Sequence, residues 1–488
     1  MKLNELISLC EPFRVIPKSY PEMEVNRLQL DSRKVEEGDA YIALKGTNVD
    51  GHEFVHGAVM KGARVVIVSR LMESLGDVVQ IVVKDPRSVA GKLFQAFAGF
   101  PGEEMKIIGV TGTNGKTTVS TLIYQALSQN NIPTTLIGTI DTIVGDERRE
   151  SRLTTPGPDE LAEILKESKQ KGVTHVVMET SSHALQQKRT DGLNFHIAAF
   201  TNFSHDHLDY HRDVGEYLSA KRRLFDRLDP DSYAIVNSDD PAAKNILGYC
   251  QGQIINAGLN SGDAKLIKKD STGIGIKWKG EEIHSPLIGS FNASNVLIAA
   301  SVLHVLGWKP DQIAKTLATC YGAAGRLEPV GEDNPVVLVD YAHSPDALEN
   351  VLQAIADVKD DGEQLSVVFG CGGDRDTTKR PQMGRIAERF GDRLYITSDN
   401  PRTEDPKAII DDIIEGLSSK AEYVVEPDRR KAIALAIEEA QEECIILIAG
   451  KGHETYQEVH GERLHLDDRE EARKALKQRL TQTGKEVR

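Results

Sequence analysis

Four residues within one short stretch have the types and spacing to hold a phosphate chain. They are Gly112, Gly115, Lys116 and Thr117, in Val110-Thr111-Gly112-Thr113-Asn114-Gly115-Lys116-Thr117-Thr118. Glycine lets a backbone approach an anion closely, and a helix start presents N–H groups that have no intrahelical partner. Lys116 adds a point charge suited to β- and γ-phosphates, and the Thr117 hydroxyl is placed to hold Mg²⁺. The elements that must position these groups are legible on either side. Ile107, Ile108 and Val110 form an apolar run read as a strand, and Val119, Leu122, Ile123, Ala126 and Leu127 recur at helical spacing behind the loop. A strict phosphate loop has glycine at position 110; this chain has valine there and an extra glycine at 112, so the loop is a variant of the consensus.

Other groups capable of chemistry stand where apolar runs end. Glu179 follows the run 174–178, and an acid at a strand's carboxyl end beside a phosphate loop is placed to bind Mg²⁺ directly or through water. Ser204-His205-Asp206-His207-Leu208-Asp209-Tyr210-His211 concentrates three histidines and two aspartates. Its spacing fits no usual zinc pattern and no cysteine is near, which leaves a Mg²⁺–nucleotide role or a structural polar loop. Lys221 is by composition a solvated helix lysine. Asn292 and Asn295 open an apolar helix, where they could cap it or read an adenine edge. Arg326, in Gly325-Arg326-Leu327-Glu328, could stabilise phosphate or be an ordinary surface arginine. Beyond residue 330, four apolar runs (336–339, 366–369, 394–397 and 445–448) each lead into a polar loop. Those loops gather Arg375 and Arg402 with Asp399 and Glu454. Paired arginines suit carboxylates and acids suit ammonium groups, and a ligand that carries both is an amino acid.

The 488 residues predict two to four domains. A net charge of −15 and the lack of a Lys/Arg-rich run argue against a nucleic-acid partner. Five scattered cysteines without a C-x-x-C pair point to a reduced compartment, with neither disulfide frame nor structural zinc. The first residues hold no apolar core of signal-peptide length, and no run of about 18 apolar residues exists. The expectation is a cytoplasmic, soluble protein with no membrane insertion. Short β-branched runs at 41–44, 64–68 and 78–83, with helices at 56–62 and 88–97, predict a small N-terminal α/β unit. Within it Asp31-Ser32-Arg33, taken alone, is a polar loop. Residues 100–102 read as a linker, 252–285 as a β-rich insertion, and the segment after Asp467 as a terminal helix. The restarting strand–loop–helix pattern beyond 330 is that of a doubly wound parallel domain.

Several of these strand ends carry a resemblance. Thr111-Gly112-Thr113-Asn114-Gly115-Lys116-Thr117-Thr118, Met178-Glu179-Thr180-Ser181-Ser182-His183, Thr201-Asn202-Phe203-Ser204-His205-Asp206-His207, Gly325-Arg326-Leu327-Glu328, Asp340-Tyr341-Ala342-His343 and Asp399-Asn400-Pro401-Arg402 are together highly specific. Over its whole length the chain resembles a Mur ligase, and within that family it is similar to the members that add the third peptide residue of the cell-wall precursor. Val110 is also what that family's loop looks like. The resemblance implies an α/β fold of three domains: a uridine-nucleotide domain over 1–98, a central P-loop ATPase-like domain with a parallel sheet over 99–329, and a Rossmann-like doubly wound amino-acid domain over 330–488.

It also implies the reaction and the roles. ATP would phosphorylate the D-glutamate carboxylate of UDP-N-acetylmuramoyl-L-alanyl-D-glutamate, and the amine of meso-diaminopimelate would attack the acyl phosphate. Gly112, Thr113, Asn114, Gly115, Lys116, Thr117 and Thr118 would cradle ATP, with Asn292, Arg326 and Asp340 completing that site. Leu30 and Ser32 would contact the uridine nucleotide, and Thr154, Thr155, Ser181, Gln187 and Arg189 the muramoyl dipeptide. Thr117 and Glu179 would serve one Mg²⁺, and His207 with Lys221 a second. Lys221 is the family's carbamylated position, an N6-carboxylysine. Arg375, Asp399, Asn400, Pro401, Arg402, Gly450 and Glu454 would bind diaminopimelate, and His343 or Glu454 could help deprotonate the amine. Lys116, Lys221, His207 and Arg326 are the catalytic candidates. Partners would be small molecules, and the expected state is a monomer. Competing readings are a lysine-adding or folylpolyglutamate-synthetase-like relative, and a nucleotide-binding regulator that makes no peptide bond.

Overall fold

Strands buried on both faces need unbroken apolar runs, and helices must cover them. That pattern builds the three large, mainly parallel sheets of the computed structural model, which describes residues 1–46, 49–204, 210–260, 264–270, 273–331, 335–360, 362–441 and 443–483. The chain divides into two compact units, Met1–Gly262 with Ser301–Gly307 and Asp263–Ala300 with Trp308–Arg488.

The first unit holds two sheets. One runs Arg14–Ile16, Val79–Val82, Val65–Val68, Ala40–Ile42, Leu28–Gln29, all parallel except the first. The other runs Gln253–Asn256, Tyr233–Val236, Ile197–Phe200, Lys106–Thr111, His175–Glu179, Thr134–Ile137, Asp141–Val144, Glu147–Glu150. Its first six strands are parallel and the last two antiparallel. A wholly parallel central sheet is therefore corrected at that edge: residues 138–140 and 145–146 are too short for a crossover, so the chain can only turn back. Ile107, Ile108 and Val110 are fully buried at the centre, which places the ends of the 106–111, 175–179 and 197–200 strands side by side.

In the second unit a six-stranded sheet runs Glu328–Val330, Val336–Asp340, Cys444–Ala449, Gln364–Phe369, Arg393–Ile396, Tyr423–Val425. Five strands are parallel; Glu328–Val330, which sequence did not mark as a strand, joins antiparallel. The strand latest in the chain is inserted between the 336–340 and 364–369 strands. Order therefore reverses there, and in open α/β sheets ligands bind outside the carboxyl ends at such a point. The expected β-rich insertion is a three-stranded antiparallel sheet, Ala264–Asp270, Gly273–Trp278 and Glu281–Ser285, whereas Gln253–Asn256 belongs to the central sheet instead. The terminal helix spans Asp468–Thr483. Among the described residues no helix is long and apolar enough to cross a membrane.

Candidate functional site

The first unit builds a phosphate cradle at the end of the 106–111 strand. Gly112 (φ 154°) and Gly115 (φ 82°) shape the loop, and helix Lys116–Gln129 starts directly behind it. A Cβ on Gly112 would come within 1.8 Å of Thr201 Oγ1, so only glycine fits. The loop is pinned from the neighbouring strand end: Thr113 N donates to Asn202 O (2.9 Å) and Asn114 N to Asn202 Oδ1 (2.9 Å). Lys116 Nζ donates to Gly112 O (3.0 Å) and Thr113 O (2.8 Å), which holds the cation over the loop.

Thr117 and Glu179, paired from sequence, meet. Thr117 Oγ1 donates to Glu179 Oε2 at 3.0 Å, and Thr139 donates to the same carboxylate through its N–H (2.8 Å to Oε1) and its hydroxyl (2.9 Å to Oε2). Glu179 is fully buried. A buried carboxylate flanked by hydroxyls is a hard-oxygen donor set of the kind Mg²⁺ takes. Thr139 carries no motif and was missed; only its place across the sheet exposes it.

Lys221 is not the solvated lysine its composition suggests. It is 1% exposed, its Nζ donates to Gly112 O at 2.6 Å, and it lies 4.4 Å from the centre of the Tyr217 ring. The helix Val214–Arg222 is capped by Asp213, which accepts from Glu216 N, and this start aims the last turn at the loop. His205 to Asp209, and with them the expected metal ligand His207, lie outside the described residues.

Thr155, Ser181, Gln187 and Arg189 form one network. Thr155 Oγ1 donates to Glu179 O (2.8 Å) and accepts from Ser181 N (3.0 Å). Arg189 Nη1 donates to Thr155 O (2.7 Å), and its Nε and Nη2 hold Gln187 Oε1. The Thr154 hydroxyl lies 3.1 Å from Thr139 Oγ1, which ties this network to the Glu179 cluster. Gln187 and Arg189 also line a cavity of about 600 Å³ with Leu30, Ser32, Arg33 and Arg87. The Asp31-Ser32-Arg33 loop is thus a cavity wall. Arg33 holds the Asp31 carboxyl down to about 2, and Asp31 caps the short 3₁₀ turn Ser32–Lys34. Arg33 and Arg87 went unread because an arginine in a polar loop carries no spacing signal.

The second unit gathers the other set. Asp340 accepts from Leu327 N (2.7 Å) and Ala342 N (2.8 Å), and burial raises its pKa against the pull of Arg326. The Arg326 guanidinium stands 5.0 Å from the centre of the Tyr341 ring, and its buried Nε has no hydrogen-bond partner among the described residues. Tyr341 also packs on His453, centroids 4.9 Å apart. Burial, then the Arg326 charge, pushes His453 down to about 4. His343 binds Tyr341 O through Nδ1 (2.9 Å). Asn292 is no helix cap: it sits inside the first turn of Ser290–Val305, where its Nδ2 donates to Ile288 O (2.8 Å) and its Oδ1 accepts from Asn295 (2.9 Å). Asn292, Arg326 and Asp340 all belong to this unit, whereas the phosphate loop belongs to the first.

The strand ends here assemble the amino-acid candidates. Arg402 Nη1 donates to Gly373 O (2.6 Å) and its Nε lies 3.4 Å from Glu458 Oε2. A Cβ on Gly372 would touch Arg402 Nη1 at 3.1 Å and Arg375 Cγ at 3.8 Å, so both arginines flank that glycine, with Arg375 exposed. Asn400 Nδ2 donates to Glu454 Oε2 (2.9 Å), and a Cβ on Gly450 would fall 2.6 Å from Asp399 Oδ2. That Asp399 oxygen is buried with no partner among the described residues. Behind these ends Arg429, fully buried, grips Asp468 (2.8 and 2.7 Å) and donates to Ser398 O (3.3 Å) and Ala449 O (3.0 Å). Lys451, Glu458 and Arg429 were not read as site residues; a contact network across strands leaves no local pattern.

A phosphate loop backed by a Thr–Glu pair, with a second sheet end bearing arginines and acids, is the equipment of a ligase that joins an acid to an amino acid. Residues 24–97 match the Mur ligase family catalytic domain, 110–303 the Mur ligase middle domain, and 325–452 the Mur ligase glutamate ligase domain. The chain belongs to the Mur ligase family. It is 40% identical over 474 residues to the UDP-N-acetylmuramoyl-L-alanyl-D-glutamate–2,6-diaminopimelate ligase of Fusobacterium nucleatum, covering 96% of this chain and 97% of that one. Its identity to the ligase of that name from Aquifex aeolicus is 41% over 464 residues, 94% and 95% of the two chains. A solved structure of a ligase with that name superposes with a TM-score of 0.71 at 34% identity, covering 95% of this chain and 97% of that one. A MurF ligase from Thermotoga maritima in complex with ADP shares the fold at 17% identity (TM-score 0.61, 94% of this chain and 100% of that one).

Proposed function

We propose that the chain is an ATP-dependent ligase that adds meso-2,6-diaminopimelate to the D-glutamate of UDP-N-acetylmuramoyl-L-alanyl-D-glutamate, in peptidoglycan precursor synthesis. The observation that carries this is the Asp399–Arg402 loop, laced to Glu454 in a chain alignable end to end with ligases of that name. A carboxylate is a poor electrophile with oxide as its leaving group. Transfer of the γ-phosphoryl group to the D-glutamate carboxylate gives an acyl phosphate and ADP. The diaminopimelate amine then attacks the acyl carbon, and phosphate departs.

The residue roles are those the resemblance implies, and the contacts support them. The 112–118 loop and Lys116 hold the phosphate chain, and Lys116 offsets charge on the transferring group. Asn292, Arg326 and Asp340 would also contact ATP, as the family resemblance implies. Mg²⁺ at Thr117 and Glu179 would neutralise phosphate charge when bound. Lys221 as a carbamate, with His207, would offer anionic and imidazole ligands to a second ion; its burial beside the loop supports that reading. Leu30, Ser32 and the Thr154–Arg189 network hold the nucleotide and dipeptide, and Arg375, Asp399, Asn400, Pro401, Arg402, Gly450 and Glu454 the diaminopimelate. His343 or Glu454 would take the amine's proton. Domains at 1–98, 99–329 and 330–488, a monomeric state and a cytoplasmic location complete the reading. The test is phosphate release with ATP, Mg²⁺ and the muramoyl dipeptide nucleotide, comparing meso-diaminopimelate with L-lysine. Release only with diaminopimelate is expected. Release only with lysine would overturn the specificity, and none with either would overturn the ligase.

A further inference from the structure

Lys451 has no role in the reaction as read so far, yet it is fully buried, and a buried ammonium needs a reason. Its Nζ donates to Asn400 Oδ1 at 3.0 Å and to Glu454 Oε2 at 2.8 Å, and it lies 5.4 Å from the centre of the Tyr456 ring. Asn400 Nδ2 closes the triangle by donating to the same Glu454 oxygen at 2.9 Å. A fourth contact fixes the polarity: Glu458 N donates to Asn400 Oδ1 at 2.9 Å.

A carboxamide presents an acceptor at one end and two donors at the other, and its contacts decide which is which. An ammonium and a backbone N–H can only donate, so the Asn400 atom that meets both must be oxygen. Both lone pairs of Oδ1 are then used. One Nδ2 hydrogen goes to Glu454, and no second Nδ2 contact is made among the described residues. Without the ammonium, the amide could rotate to present its oxygen to a ligand, and Glu454 would keep an uncompensated charge in a largely buried place.

We propose that Lys451 is a positioning residue for the amino-acid substrate: it locks the Asn400 amide as a donor toward the substrate's carboxylate and commits Glu454 Oε2, leaving Oε1 for the ammonium. This rests on the amino-acid reading of the Asp399–Arg402 site. Lys451 thereby sets which end of a dicarboxylic amino acid the pocket accepts, although it need not touch the ligand.

The experiment compares full-length wild type with Lys451→Met, which keeps the apolar stem without the ammonium, and with Asn400→Asp, which still accepts from Lys451 but cannot donate. Steady-state phosphate release is measured with each substrate varied in turn. For both variants the KM for meso-diaminopimelate should rise about 10- to 100-fold, with the KM for ATP within about twofold. In an Asn400→Ala background, Lys451→Met should add less than about twofold, because Lys451 acts through Asn400. An unchanged diaminopimelate KM in Asn400→Asp, or fully multiplicative effects in the double variant, overturns the proposal. The Asn400→Asp result stands even if Lys451→Met does not fold. Wild type that releases no phosphate with any amino acid overturns the functional reading and this proposal together; wild-type turnover with unaffected variants overturns this proposal alone.

Discussion

Replacing Arg402 with alanine should separate amino-acid recognition from nucleotide chemistry. The Arg402 backbone sits at φ 53° and is tied to the 458–460 segment: Arg402 N donates to Glu458 O (3.0 Å) and His460 N to Arg402 O (2.7 Å). Its side chain is 23% exposed and Glu458 stands 3.4 Å from its Nε. A charge-assisted hydrogen bond to a ligand carboxylate contributes about 1.5–3 kcal/mol, or about 10- to 150-fold in affinity. Truncation also leaves Glu458 facing that carboxylate without the intervening cation, a like-charge term of the same sign. The KM for meso-diaminopimelate should rise about 10²- to 10³-fold, while the KM for ATP stays within about twofold. L-Lysine lacks the distal carboxylate, so its poor kcat/KM should hardly change and the discrimination should collapse. The assay is coupled phosphate release with each amino acid titrated separately. An unchanged KM for diaminopimelate would refute the specificity argument outright.

Further outcomes follow from contacts already described. Lys221→Ala should be inactive and regain part of its turnover when short carboxylic acids are added; full activity without rescue would exclude a carbamate. Gly325→Ala should be destabilised by about 2 kcal/mol or more, read as a lower Tm, because φ is 66° and the new Cβ would sit 2.1 Å from His453 N. His453, pushed down to about 4, favours the neutral ring in the folded state. Its stability contribution is fully present above about pH 6.5 and is lost as pH falls toward 4, by on the order of 2 kcal/mol. In His453→Gln, denaturant titrations across that window should show a flatter pH profile; a slope equal to wild type would count against the shift.

Local features were legible and long-range ones were not. The phosphate loop could be read because strand, glycines, lysine and helix are consecutive, and Glu179 because a strand end is marked by where an apolar run stops. Lys221 could not: the carbonyl it reaches is 109 residues away, and nothing around it in sequence says that its helix turns inward. Capping stayed open as one of two readings of Asn292 because it follows a turn, but the helix begins two residues earlier at Ser290. The 141–150 hairpin was missed since Glu147–Glu150 is exposed and polar, without the alternation that marks a strand. The amino-acid site was visible as charges at strand ends, but the interlock of Lys451, Asn400 and Glu454 depends on which strand is inserted where.

The grip of Arg429 on Asp468 has a consequence for how the protein comes into being. The guanidinium that braces the Ser398 and Ala449 carbonyls takes both hydrogen bonds of its ion pair from the first residue of the terminal helix. Until synthesis has passed Asp468, Arg429 lacks its bidentate partner, and burying that guanidinium is disfavoured. The strand ends it braces, which carry the amino-acid candidates, therefore gain that support only when the terminal helix has been made.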